Sequence, residues 1–143
     1  LRESKGVDPL KLATKEVLVK AGQTRAPELA VKYDHTRPNG TSYDVLFSES
    51  KDLEPSCWGE NIVMGSNANY HSVKILFDAW VDSQGHYDNM VDGDFKQIVP
   101  YSFLERVPGY GWERDENGNL QQVVKYTYKR YFGTIFYTDW YKN

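Results

Sequence analysis

Apolar residues at Val17, Leu18, Ala21, Ala26 and Leu29 fall largely on one helical face and predict an amphipathic helix from Thr14, whose hydroxyl is placed to cap it. Pro27 lies inside this stretch. It has no N–H to give to the preceding turn, so it is expected to bend the helix or make it restart. Arg37-Pro38-Asn39-Gly40 then ends the helix, because a residue before proline avoids helical angles and Asn-Gly favours a tight turn. Val73, Leu76, Phe77 and Trp80 follow i, i+3, i+4, i+7 spacing and predict a second helix, capped by Asn67 or Asn69, with its apolar face in the core. Trp80 is read as a core anchor rather than a stacking platform. Gly85 is expected to break this helix and to leave His86 at the start of a short helical turn through Tyr87, Asn89 and Met90.

Past Phe95 the pattern changes to a period of two. Val124, Tyr126, Tyr128 and Arg130 alternate with Val123, Lys125, Thr127, Lys129 and Tyr131, which predicts a strand. Asn117-Gly118 stands between that strand and Tyr110-Gly111-Trp112-Glu113-Arg114, a strong hairpin signal, and Thr134-Ile135-Phe136-Tyr137 follows Gly133 as a further strand. Helices followed by antiparallel strands indicate an α+β fold. Tyr126, Tyr128, Tyr131, Phe132, Phe136, Tyr137, Trp140 and Tyr141 crowd the sheet, and alternation with charge makes core their default place.

Composition narrows the picture. At 143 residues with 40% hydrophobic and 15% aromatic content, residues 1–143 suit one domain with an ordinary core. Lys and Arg number 17 against 20 Asp and Glu, a net charge of −3, and no dense basic stripe appears, so no nucleic acid partner is expected. No apolar run is long enough for a transmembrane segment. The chain starts at Leu1 rather than Met and is expected to be N-terminally trimmed, its leader already gone. Cys57 is the single cysteine, so there is no intrachain disulfide, and beside Trp58 it is expected to pack rather than react. Asn39-Gly40-Thr41 has the form of a glycosylation sequon and is read as a turn.

The chemistry sits in three separated segments: Asp34-His35-Thr36-Arg37-Pro38-Asn39-Gly40, Trp58-Gly59-Glu60-Asn61-Ile62 and Trp80-Val81-Asp82-Ser83-Gln84-Gly85-His86-Tyr87. Each puts a titratable group beside turn-forming residues, which is how a polar site is built. His35, Glu60 and His86 stand 25 and 26 residues apart, too widely for a short metal motif to show in spacing alone. His71, between Tyr70 and Ser72, reads as a solvated surface residue.

These segments, in this order, together with Asp8-Pro9-Leu10-Lys11-Leu12 and Thr24-Arg25-Ala26-Pro27-Glu28-Leu29-Ala30, resemble the bacterial branch of the CAP superfamily. CAP proteins are the cysteine-rich secretory, antigen 5 and pathogenesis-related proteins, with an SCP-like domain. The resemblance runs from about Gly6 to Phe95, and the β-rich C-terminal third diverges from it. Eukaryotic CAP proteins tend to be disulfide-rich, so a single cysteine suits the bacterial kind.

The resemblance implies a three-layer α-β-α sandwich with a central antiparallel sheet, in an extracellular or cell-surface protein. It further implies a ligand cleft lined by His35, Glu60, Ser83 and His86, in which His35 and His86 bind a divalent cation, commonly zinc. Glu60 would then orient a histidine or polarise a bound water, which makes it the candidate catalytic residue. Many relatives carry a second glutamate where this chain has Ser83, a departure that weakens paired-carboxylate catalysis and leaves the two histidines intact. Ser83 beside His86 lacks the orienting third group that a serine nucleophile needs.

Three readings follow. The first is a binding module for a metal, a small ligand, a cell-wall fragment or a host-surface molecule, of a Gram-positive-type bacterium. The second is a metal-assisted hydrolase of peptides or cell-wall polymers. The third is a structural polar network with no reaction. Some CAP relatives bind lipids between elements, and nothing in this sequence marks such a pocket.

Overall fold

Glu16–Val31 forms α1, whose buried side is made by Leu18, Ala21, Gly22, Arg25, Ala26 and Leu29. The computed structural model describes residues 1–48, 57–66 and 73–139. Asn67, Asn69, His71, Trp140 and Tyr141 lie outside the described residues, as does the side chain of Val73. The α1 cap is Lys15, not Thr14. Lys15 is the last extended residue, and its carbonyl accepts the first helical N–H groups, from Leu18 and Val19. The helix also does not break or restart at Pro27. Arg25, Ala26 and Leu29 are almost fully buried on either side of the proline, and that packing outweighs one missing hydrogen bond.

The sheet has the order β1-β3-β4-β2, with β1 Lys11–Leu12, β2 Trp58–Ser66, β3 Gln97–Arg114 and β4 Leu120–Thr138. β2, β4 and β3 are antiparallel neighbours, and β1 adds a two-residue parallel pair to Gln97 and Ile98, so the antiparallel centre has one parallel edge. Alternate residues of β3 and β4 serve opposite faces. Val99 and Phe136 join Ala13, Leu18, Ala21 and Phe47 on the α1 side, where Phe47 comes from the one-turn helix α2, Val45–Ser48. Tyr137 joins Val63, Trp80, Met90 and Phe95 on the other side, under α3 (Val73–Val81) and α4 (Gln84–Val91). Two helical layers around one sheet make an α+β, three-layer α-β-α arrangement.

Three further expectations change. The α3 helix ends before Asp82-Ser83, and Gly85 lies inside α4, because Ser83 takes the extended conformation that starts a new helix. Phe77 is exposed although it sits on the expected apolar face. β4 is one strand through Gly133, where two were expected: Gly133 pairs with Val63 and Ser102, so ladders on both sides hold it extended. The hairpin turn falls where Asn117-Gly118 placed it. Gly118 has φ 81°, and the Asp115 carboxylate accepts the N–H groups of Asn117 and Asn119. Of the sheet aromatics, Phe132, Phe136 and Tyr137 are buried, whereas Tyr126 is exposed, because β3 and β4 run on past the helices that would cover it. Cys57 is partly buried against the Trp80 and Phe95 cluster, and burial raises its thiol pKa, as packing rather than reactivity requires.

Candidate functional site

Glu60 is the centre of the site. It lies on β2 with a fully buried side chain, and its two oxygens accept four hydrogen bonds, about the capacity of a carboxylate. Arg25 Nε donates to Oε2 at 2.7 Å and Arg25 Nη2 to Oε1 at 3.2 Å. Thr134 Oγ1 donates to Oε2 at 3.3 Å, and His35 Nδ1 lies 2.8 Å from Oε1. Arg25 is itself 0% exposed. Its Nη2 also donates to the Asp34 carbonyl, so the same guanidinium that neutralises Glu60 fixes the backbone beside His35. Arg25 Nη1 makes no hydrogen bond and faces the nearer Glu28 oxygen at 3.8 Å.

The chain of charges continues outward. Glu28 is gripped by Arg37, whose Nε and Nη2 donate to it at 3.0 and 2.8 Å. Arg37, Glu28, Arg25, Glu60 and His35 thus alternate in sign from α1 to the loop that follows it. That loop closes on itself: Gly40, with φ 86°, donates to the Arg37 carbonyl, and Asn39 Oδ1 accepts the Thr41 N–H.

The second half of the site stands on α4. His86 Nδ1 lies 2.9 Å from Ser83 Oγ, so the serine at the helix N-cap position holds the imidazole instead of a main-chain N–H. Asn61, 0% exposed and next to Glu60, ties this helix to β2. Its Nδ2 donates to the His86 carbonyl at 3.0 Å and to Tyr137 OH at 3.2 Å, and its Oδ1 accepts Asn89 Nδ2 at 2.9 Å. Gly59 makes the close approach possible, since a Cβ there would stand 2.9 Å from the Phe95 ring and 3.3 Å from Asn89 Oδ1. Trp80 Nε1 donates to the Ile62 carbonyl at 2.9 Å, and its ring lies 6.5 Å from that of His86.

The structure therefore joins His35 directly to Glu60, and Ser83 directly to His86, and links the two pairs through neighbouring residues of β2. Arg25, Thr134, Asn61 and Asn89 complete the site, and none was assigned a role from sequence. Arg25 did carry a signal: a charged residue in line with Leu18, Ala21 and Leu29 is on the wrong face of an amphipathic helix unless it is paired. Three cavities, of about 450, 430 and 360 Å³, lie elsewhere, and none is lined by His35, Glu60, Ser83 or His86.

The two imidazoles differ electrostatically. The hydrogen bond to Glu60 raises the pKa of His35 above 6.5, against partial burial. Burial lowers that of His86 below 6.5, and positive charge on His35 lowers it further. In an NMR titration His35 is expected to take up its proton first as pH falls, with His86 following below pH 6.5. The His35 contribution to stability is full below pH 6.5 and is lost as pH rises through its raised pKa; His86 weakens the fold only as pH drops below 6.5. His35→Ala should raise the His86 midpoint, and coincident curves in the wild type would contradict the arrangement. Tyr43, half-buried near Glu60, has its phenol pushed up to about 12, chiefly by burial.

The sequence profile described as "CAP: Cysteine-rich secretory protein family" matches residues 1–98. The chain belongs to the CAP family. Solved structures share the fold at low identity. An outer surface protein from Borrelia burgdorferi is 13% identical with a TM-score of 0.58, the match covering 96% of this chain and 83% of that one. An extracellular protein containing an SCP domain from Bacillus anthracis str. Ames is 14% identical with a TM-score of 0.58, over 92% and 35% of the two chains. A cysteine-rich secretory protein from Staphylococcus aureus subsp. aureus Mu50 is 13% identical with a TM-score of 0.55, over 95% and 34%. This CAP chain therefore spans about a third of the Bacillus and Staphylococcus chains. No curated protein matches it. Among the described residues no helix is long and apolar enough to cross a membrane.

Proposed function

We propose that this CAP chain is an extracellular or cell-surface binding module whose histidine cleft takes a divalent cation or a small polar ligand. The observation that carries the reading is that each imidazole is held at Nδ1, His35 by Glu60 and His86 by Ser83. Among the described residues both Nε2 atoms are left without a protein partner. A ring fixed at one nitrogen presents the other as a ready ligand or hydrogen-bonding group. The similarity to an outer surface protein and to an extracellular SCP-domain protein supports the location.

The donor set bears on the cation. Two imidazoles suit zinc, but among the described residues no group of three His, Cys, Asp or Glu is arranged to hold a metal ion. On this reading the two imidazoles would make an open site completed by solvent or by the ligand, since the third protein ligand of a closed structural zinc or of a hydrolytic one is absent among the described residues. Glu60 is saturated by Arg25, Thr134 and His35, so it positions His35 and has no free lone pair for a general base. Ser83 and His86 have no orienting carboxylate among the described residues. Both points favour binding over the hydrolase reading.

Calorimetric titration with zinc at pH 7.5 tests the proposal. The wild type is expected to bind, His35→Ala and His86→Ala each to weaken binding at least tenfold, and the double variant to bind nothing. Affinity should fall as pH drops through the raised pKa of His35, where a proton competes for Nε2. Equal uptake by the wild type and the double variant would remove the cation and leave a metal-free polar cleft. The same variants in a soluble wall-fragment binding assay then decide whether the cleft takes a ligand.

A further inference from the structure

Among the described residues β3 and β4 continue as a two-stranded ribbon beyond the sandwich: the last described pair of β2 is Ser66 with Arg130, and β1 reaches only Gln97 and Ile98. Such a ribbon is marginally stable alone. It nevertheless carries Tyr110, Trp112, Leu120, Val124 and Tyr126, each more than half exposed.

Its two edges are not equivalent. The N–H of Ala13 donates to the carbonyl of Ile98, so within β3 Ile98 and the even-numbered residues after it turn their main-chain groups away from β4. Pro100 and Pro108 both belong to that outward set and remove two donors from the free edge of β3, a common protection against unwanted strand pairing. β4 has no proline from Leu120 to Lys129. Its outward residues follow from the register with β3. Val99 pairs with Phe136 and Gly109 with Tyr126, so even residues of β4 face β3 while Thr127 and Lys129 face outward. The irregularity between Gly109 and Tyr110 leaves Lys125 without a register partner and shifts the outward set to Gln122 and Leu120.

We propose that the edge of β4 from Leu120 to Lys129, unpaired among the described residues, is a self-association surface, pairing antiparallel with the same edge of a second copy about a two-fold axis between Val124 and Lys125. In that register Leu120 stands opposite Lys129 of the second copy, and Gln122 opposite its Thr127, so outward main-chain groups meet outward groups along the whole edge. The charges agree. Lys125 is already paired with Glu113 of its own chain, and Lys129 comes beside the acidic turn of the other copy, at Asp115 and Glu116. The symmetry makes this contact twice. A parallel pairing would set Lys129 against Lys129.

Sedimentation of the full chain over a concentration series, with circular dichroism to check folding, tests this. The wild type should show a monomer–dimer equilibrium. Thr127→Pro removes an outward N–H opposite Pro108, costs no intrachain ladder bond, and should stay monomeric throughout. Lys129→Glu should raise the dimer dissociation constant about tenfold, and adding Glu116→Lys should restore it. If Thr127→Pro does not fold, the charge-reversal pair decides alone. A wild type that is monomeric up to about 1 mM, or a dimer that Thr127→Pro and Lys129→Glu leave unchanged, overturns the proposal.

Discussion

Arg25→Ala is expected to destabilise the folded chain by about 3–5 kcal/mol, measured as a drop in unfolding free energy by urea denaturation. The guanidinium and the Glu60 side chain are both 0% exposed and are joined at 2.7 Å. Removing either partner leaves the other charge buried in a medium that solvates it poorly. Among the described residues Thr134 and His35 are the side-chain donors to Glu60 that remain, and neither carries a permanent charge. Substituting both members with apolar residues of similar volume, Arg25→Met with Glu60→Leu, should cost less than either alanine variant alone, because no orphan charge remains. The function should respond separately. Arg25 holds the Asp34 carbonyl and its charge lowers the His35 pKa, so a folded Arg25→Ala variant that keeps Glu60 should titrate His35 at still higher pH. A loss below about 1 kcal/mol for Arg25→Ala would show that the pair is solvated in solution.

Trp80→Ala is expected to cost a comparable amount, about 3–5 kcal/mol. The indole is buried among Val63, Met90, Phe95 and Tyr137, and its N–H satisfies the Ile62 carbonyl on β2. It therefore joins α3 to the strand that carries Glu60 and Asn61. Trp80→Phe keeps most of the apolar volume but strands the carbonyl, for about 1–3 kcal/mol. With less cover over the imidazole, the His86 pKa should move back toward 6.5 in Trp80→Ala. A tryptophan that served only to stack a ligand would give the opposite result: unchanged stability and weaker binding.

Much of the fold was legible because it rests on period and punctuation. Leu18, Ala21 and Leu29 mark α1 by helical spacing, Leu76 and Trp80 mark α3, and Asn117-Gly118 marks the hairpin turn, each signal lying within a few residues of what it specifies. β2 was not legible. Residues Gly59 to Val63 are buried on both faces of the sheet, so alternation, the usual mark of a strand, is absent there. The continuity of α1 past Pro27 and of β4 past Gly133 share a reason: both residues are local breakers, and packing on both sides keeps them from ending the element.

For the site, sequence alone determined the residue types: two histidines, a glutamate and a serine beside turn signals, with a charged Arg25 out of place on an apolar stripe. Only the tertiary structure decided how they are wired. It gave Glu60 to Arg25, Thr134 and His35, gave Ser83 to His86, and left two imidazoles with opposite pKa shifts. Those pairings join α1 to β2 across 35 residues and β2 to β4 across 74. Contacts that distant have no local signature, because hydrogen-bond partners and burial are set by which surfaces the chain brings together, not by what precedes a residue along it.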